Sequence, residues 1–108
     1  MYKTQWNDVK REVAIVNRKF FRLPESRLNI RIKKTKDIWA EAYADMDTGI
    51  TTFNLWYPSY KFFRNIVGHE MIHQWQYYNG YYENVHDHTF FSWKSAMENF
   101  GYEISSRY

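Results

Sequence analysis

The run Gly68-His69-Glu70-Met71-Ile72-His73 places two imidazoles and a carboxylate inside an otherwise apolar stretch, and any fold of this chain has to accommodate them. Residues four apart share one face of an α-helix, so His69 and His73 can present two ring nitrogens to one metal ion. Glu70 lies about 100° further round the helix, beside that ion without ligating it, where a carboxylate can take a proton from zinc-bound water. The neighbours Phe62, Phe63, Ile66, Val67, Met71, Ile72 and Trp75 are apolar enough to bury the helix, and without a metal such burial would strand three polar groups. Paired histidines also occur on solvated helix surfaces, but here all four histidines fall between positions 69 and 88. There is no cysteine, which excludes a Cys-type zinc site and leaves His86 and His88 as further nitrogen donors for one Zn²⁺ ion.

Hydrophobic periodicity arranges the rest of the chain around this helix. Trp6, Val9, Val13, Val16 and Phe20 form an amphipathic stripe, predicting a first helix over roughly residues 4 to 22, with Thr4 as N-cap and Pro24 beyond its end. Leu28, Ile30 and Ile32 alternate with polar residues as in a half-buried strand. The segments Ile38 to Asp45 and Ile50 to Trp56 flank Asp47-Thr48-Gly49 and read as a hairpin. Pro58 ends the second of these, Ser59 can cap the motif helix, and Asn79-Gly80 stops it. After a crossing segment from Tyr81 to Val85, the residues Phe90, Trp93, Ala96 or Met97, and Phe100 predict one last helix ending at Gly101, and Tyr102 to Tyr108 follow as a tail. The expected architecture is α+β: an N-terminal helix, an antiparallel-rich sheet of about three strands, the motif helix and a C-terminal helix, in one domain spanning 1–108.

Composition narrows the classes further. Ten Tyr, eight Phe and five Trp make up 21% of the chain, so large rings must supply much of the packing. The sequence has no run of about 18 apolar residues and no apolar leader, which argues against a membrane span and for a cytoplasmic protein. Residues 1 to 36 carry eleven Lys and Arg against three acids, whereas residues 37 to 108 carry four against nine. Lys10, Arg11, Arg18, Lys19, Lys33 and Lys34 are therefore candidates for a basic face that attracts DNA or an acidic partner, with an ordinary solvated face as the plain alternative.

The third ligand decides which kind of zinc hydrolase the motif implies. A metzincin would have glycine and histidine where Gln76 and Asn79 stand. A thermolysin-type site would need a downstream glutamate, for which Glu98 and Glu83 are available, and Asp87 is a further oxygen donor. The sequence His69-Glu70-Met71-Ile72-His73 followed by His86-Asp87-His88-Thr89-Phe90 resembles the SprT-like zinc metallopeptidases, which include the Spartan proteases that degrade proteins crosslinked to DNA. The similarity runs from about residue 59 to 102 and is only architectural before that. It implies a zinc-dependent endopeptidase with His69, His73 and His86 as ligands and Glu70 as general base, acting on protein or peptide substrates that include DNA-associated proteins.

Departures from the family pattern bear on that reading. Asp87 replaces the usual glycine after the third histidine, and the Cys-rich ribbon and the recruitment tails of larger members are missing, as in a bare catalytic core of the kind a phage would encode. His88 reads as a solvated helix-capping residue, an alternative ligand or a stabiliser of an oxyanion. A substrate strand is expected along an exposed sheet edge, with the Ile50 to Trp56 segment as the candidate. The rival function is a non-catalytic nucleic-acid- or protein-binding module that keeps zinc for structure, which would follow if Asp87 or His88 closed the fourth coordination place.

Overall fold

A computed structural model describes residues 1–33, 42–82 and 85–105. Its longest element, helix α2 (Tyr60–Asn79), starts and stops where local chemistry dictates. The Ser59 hydroxyl accepts a hydrogen bond from the Phe62 N–H at 3.1 Å. At the other end Gly80 takes the left-handed conformation (φ 81°) that closes a helix. Phe63, Ile66, Val67, Met71 and Ile72 are buried, and so are the polar Asn65, His69, Glu70, His73, Gln74 and Gln76, so α2 is covered on nearly every side. Phe62 and Trp75, which the sequence assigns to the same core, are only partly buried.

Helix α1 (Trp6–Val16) packs Val9, Val13 and Val16 against α2. Two expectations for it are corrected. Trp6 belongs to the stripe by spacing but is 48% exposed, because it sits at the first turn, beyond the cover that buries Val9. Thr4 does not cap the helix. It is buried, its backbone N–H donates to Leu55 O at 2.8 Å and its hydroxyl donates to Asn54 O at 2.7 Å, tying the N-terminus to a later loop. The helix then widens into a π-turn over Asn17–Phe21. The extra residue in that turn rotates the stripe by one position, so Phe21 is buried where the spacing predicts Phe20. Asn17 ends the element by clasping Leu23, donating to its O at 2.9 Å and accepting from its N–H at 2.8 Å.

The main sheet has the order β2 (Asn29–Ile32), β4 (Ile50–Phe53), β3 (Ala42–Ala44). The hairpin forms as expected: β3 and β4 pair antiparallel, with Ala42 opposite Phe53 and Ala44 opposite Thr51. Asp45 shapes the turn, its Oδ1 accepting from the N–H groups of Asp47 and Thr48 and its O from that of Gly49. Gly49 is required there, since a Cβ would lie 2.5 Å from the Tyr77 ring and its φ is 76°. By contrast, β2 pairs with β4 in parallel, so one of the two pairings departs from the antiparallel expectation. Strand β4 is interior and β2 and β3 are the edges, which overturns Ile50 to Trp56 as an exposed edge. That segment also divides: Trp56–Tyr57 forms β5, which pairs antiparallel with β1 (Tyr2–Lys3) in a separate two-stranded ribbon. The first part of the hairpin's first strand, Ile38 to Glu41, lies outside the described residues.

Beyond α2 the expected single helix is two, α3 (His88–Phe91) and α4 (Lys94–Glu98), separated by a turn at Ser92 and Trp93. The turn lets the Trp93 ring pack against Phe21 (4.6 Å between centroids) and Trp75 (5.4 Å). The tail is part of the core: Tyr102 and Ile104 are buried, the Glu103 N–H donates to Asn65 Oδ1 at 3.0 Å and Lys94 Nζ donates to Ile104 O at 2.9 Å. Helices packed on small sheets make this an α+β domain. No helix among the described residues is long and apolar enough to cross a membrane.

Candidate metal centre

Three histidines converge at one face of α2. His69 and His73 stand one turn apart on the helix, and His86 comes from the segment between α2 and α3. His73 Nε2 lies 3.1 Å from His69 Nε2, and His86 Nε2 lies 3.4 Å from the same atom. Two nitrogens sharing a tetrahedral zinc ion at about 2.0–2.1 Å each stand about 3.3 Å apart, so the spacing fits a common metal. The Phe90 ring of α3 packs against all three imidazoles, with centroid separations of 4.8 Å to His69, 5.2 Å to His73 and 5.0 Å to His86. It forms an apolar backing for the cluster and is itself fully buried.

The electrostatics favour the ligand form of these groups. Burial, reinforced by the nearby His73 and His86, lowers the His69 pKa to about 3 against an opposing backbone hydrogen bond with Ser105. Burial lowers that of His73 to about 4, and that of His86 shifts down for the same reason. All three are therefore neutral at pH 7, as coordination requires. Glu70 is 2% exposed, its Oε2 has no hydrogen-bond partner, and burial pushes its pKa up to about 8. A partnerless carboxylate oxygen is costly to bury. Glu70 directly follows His69 on the same helix.

Helix α2 is held in place by polar ties as well as packing. The Gln74 amide Nε2 donates to Gly49 O at 2.8 Å and to Thr51 Oγ1 at 2.6 Å, pinning the helix to the hairpin and to the central strand. Gly68 allows the C-terminal segment to approach just before His69, since a Cβ there would lie 3.0 Å from Met97 Cε and 3.2 Å from the Tyr102 ring.

The other sequence candidates lie elsewhere. Asp87 is the N-cap of α3, its Oδ1 accepting from the Thr89 N–H at 2.8 Å and hydroxyl at 2.6 Å, which holds its carboxyl below the usual range. Asp87 is not part of the histidine cluster. His88 is exposed at the first position of α3 and is not part of the cluster. Glu98 is exposed and paired with Lys94, which removes it as a thermolysin-type ligand, and Glu83 lies outside the described residues.

The basic residues are divided among different neighbourhoods. Lys10 and Arg18 line a groove of about 980 Å³ between α1 and the start of β2. Arg11 also borders it but is engaged by Asp8 and the Tyr60 hydroxyl, both at 2.7 Å. Lys19 Nζ sits 3.7 Å above the Phe100 ring, and Lys33 lies at the far end of β2 beside Tyr43 and Asn54. Lys34 lies outside the described residues.

Gln76, whose Oε1 lies 2.7 Å from His73 Nδ1, enters the sequence reading only as the wrong residue for a metzincin. Its position three residues after His73, on the same helix face, was the available signal. No family model, curated protein or solved structure matches the chain.

Proposed function

We propose that the chain is a zinc-dependent endopeptidase of the SprT-like type, with His69, His73 and His86 as ligands and Glu70 as general base. One observation carries the reading: three imidazole nitrogens stand at metal-sharing distances, and the residue that follows His69 on the helix, Glu70, is buried with its Oε2 unpartnered. His69, His73 and His86 would hold the zinc ion, which would supply a Lewis acid able to lower the pKa of water to about 7. Glu70 takes the proton of the attacking water and returns it to the leaving amine. In the metal-free protein burial keeps a proton on Glu70 at neutral pH, and an adjacent dication favours its carboxylate form.

The closed, purely structural alternative needs a fourth protein ligand. Asp87 is occupied by capping and His88 faces solvent, so neither supports it. The substrate is an extended segment of a protein chain. Of the two sheet edges among the described residues, β3 is the one that packs against α2, and along it a substrate strand would approach the histidines.

The test compares wild type with Glu70→Gln for zinc content and for cleavage of an unfolded protein such as casein. Both proteins are expected to carry one zinc, with turnover lost from the variant. Equal cleavage by the two would sink the peptidase assignment.

A further inference from the structure

The carboxamide of Gln76 is fully buried and has polar neighbours on both sides. Its Oε1 lies 2.7 Å from His73 Nδ1. Its Nε2 donates to Val85 O and to Thr89 Oγ1, each at 2.9 Å. A carbonyl oxygen only accepts, so the Val85 contact fixes which end of the amide is nitrogen and leaves the oxygen facing His73. That oxygen also only accepts. His73 Nδ1 must then carry the ring proton, and His73 Nε2 presents its lone pair towards His69. The Thr89 hydroxyl gives its own proton to Asp87 Oδ1 at 2.6 Å, leaving a lone pair free for the Gln76 amide. Every donor in the chain from His73 to Asp87 therefore has a defined direction.

The two residues gripped by the Gln76 nitrogen, Val85 and Thr89, bracket His86. We infer that Gln76 is a positioning residue of the metal centre, locking His73 as its Nδ1–H tautomer while clamping the segment that delivers His86 to the helix. The inference rests on the reading of the three imidazoles as zinc ligands. A glutamine that merely filled space would set neither the tautomer of His73 nor the affinity for metal.

The experiment uses the full chain, with Gln76→Met, which keeps the bulk but neither accepts nor donates, and Gln76→Glu, which keeps an acceptor for His73. Imidazole ¹⁵N NMR of the metal-free proteins reads the tautomer, and competition with a chromogenic chelator reads zinc affinity. Wild type and Gln76→Glu are expected to hold His73 as Nδ1–H, whereas Gln76→Met is expected to show mixed tautomers and about 10- to 100-fold weaker zinc binding, the usual cost of losing an outer-shell partner. An unchanged tautomer with unchanged affinity in Gln76→Met overturns the inference. If Gln76→Met does not fold, Thr89→Val takes its place: weaker zinc binding with His73 still Nδ1–H supports the clamp, and unchanged affinity refutes it. A wild-type protein that takes up no zinc would refute the metal reading alone, because the tautomer comparison is made without metal.

Discussion

Gly68 and Met97 meet where α2 passes beneath α4, close enough that a Cβ on the glycine would stand 3.0 Å from the Met97 Cε. Alanine has the better helix propensity by about 1 kcal/mol, but here it would also press on the Tyr102 ring at 3.2 Å and on Ile104 at 3.4 Å. Overpacking of a filled core costs about 1–3 kcal/mol. Gly68→Ala is therefore expected to lower stability by about 1 kcal/mol net, taking the two contributions together. In a Met97→Ala background the same substitution should cost less, because the nearest obstructing atom is gone and the Tyr102 ring has room to give. Urea denaturation of the four proteins in this cycle measures the coupling.

Gln74 supports the site from below. Replacing it with leucine leaves Gly49 O and the Thr51 hydroxyl without their donor in a buried place, a loss of about 1–3 kcal/mol. Thr51→Val removes only the second bond and is expected to cost less. Equilibrium unfolding of the two variants should show that order, and the reverse order would mean that the tie to Gly49 contributes little.

Zinc should stabilise the fold by mass action. At a free concentration 100 times the dissociation constant the gain is about 2.7 kcal/mol. Wild type is expected to gain most in a thermal melt and Glu70→Gln somewhat less, since it keeps all three histidines but loses the carboxylate that a dication favours, while His73→Ala gains little. Adding a chelator should return the wild-type melt to its metal-free value. A gain in His73→Ala as large as that of the parent would contradict the ligand set.

The N-terminal ribbon gives the fold an acid-sensitive tie. The Tyr2 hydroxyl donates to Asp8 Oδ2 at 2.7 Å, and together with Arg11 it holds the Asp8 carboxyl below its ordinary range. A folded-state pKa below the unfolded value of about 3.9 contributes stability that is complete above that value and lost as pH falls through the lower one. Wild type should exceed Tyr2→Phe in stability at neutral pH. That margin should narrow below about pH 4, as followed by denaturant titration at several pH values.

Local chemistry made some features legible in the sequence. Ser59 and Gly80 bound α2 through interactions within their own turns, and Asp47-Thr48-Gly49 marks the hairpin for the same reason. The histidine selected by the Phe90 register, His86, is the one the fold brings to His69 and His73. Non-local features were hidden. Periodicity tells which face of a strand is buried but not which strand lies next to it, so the parallel pairing of β2 with β4 and the interior place of β4 could not be read. The stripe on α1 likewise includes Trp6, because spacing gives a direction but not where the covering element ends. Gln76 stood in plain view as a departure from a spacing rule. Its partners are 9 and 13 residues away, in a segment whose path is set only by the whole fold.

The C-terminal segment has a consequence for the order of assembly. The three clustered histidines precede residue 87, yet the helix that bears two of them is covered by Met97, Tyr102 and Ile104, and His69 bonds to the Ser105 backbone. Synthesis at about 5–20 residues per second adds the residues of that cover roughly one to four seconds after His86. A metal ion that met the three histidines in that interval would find this side of the helix uncovered. Metal acquired at that stage would be enclosed by the last segment of the core to arrive, so loading during synthesis and loading of the finished protein would be kinetically distinct events.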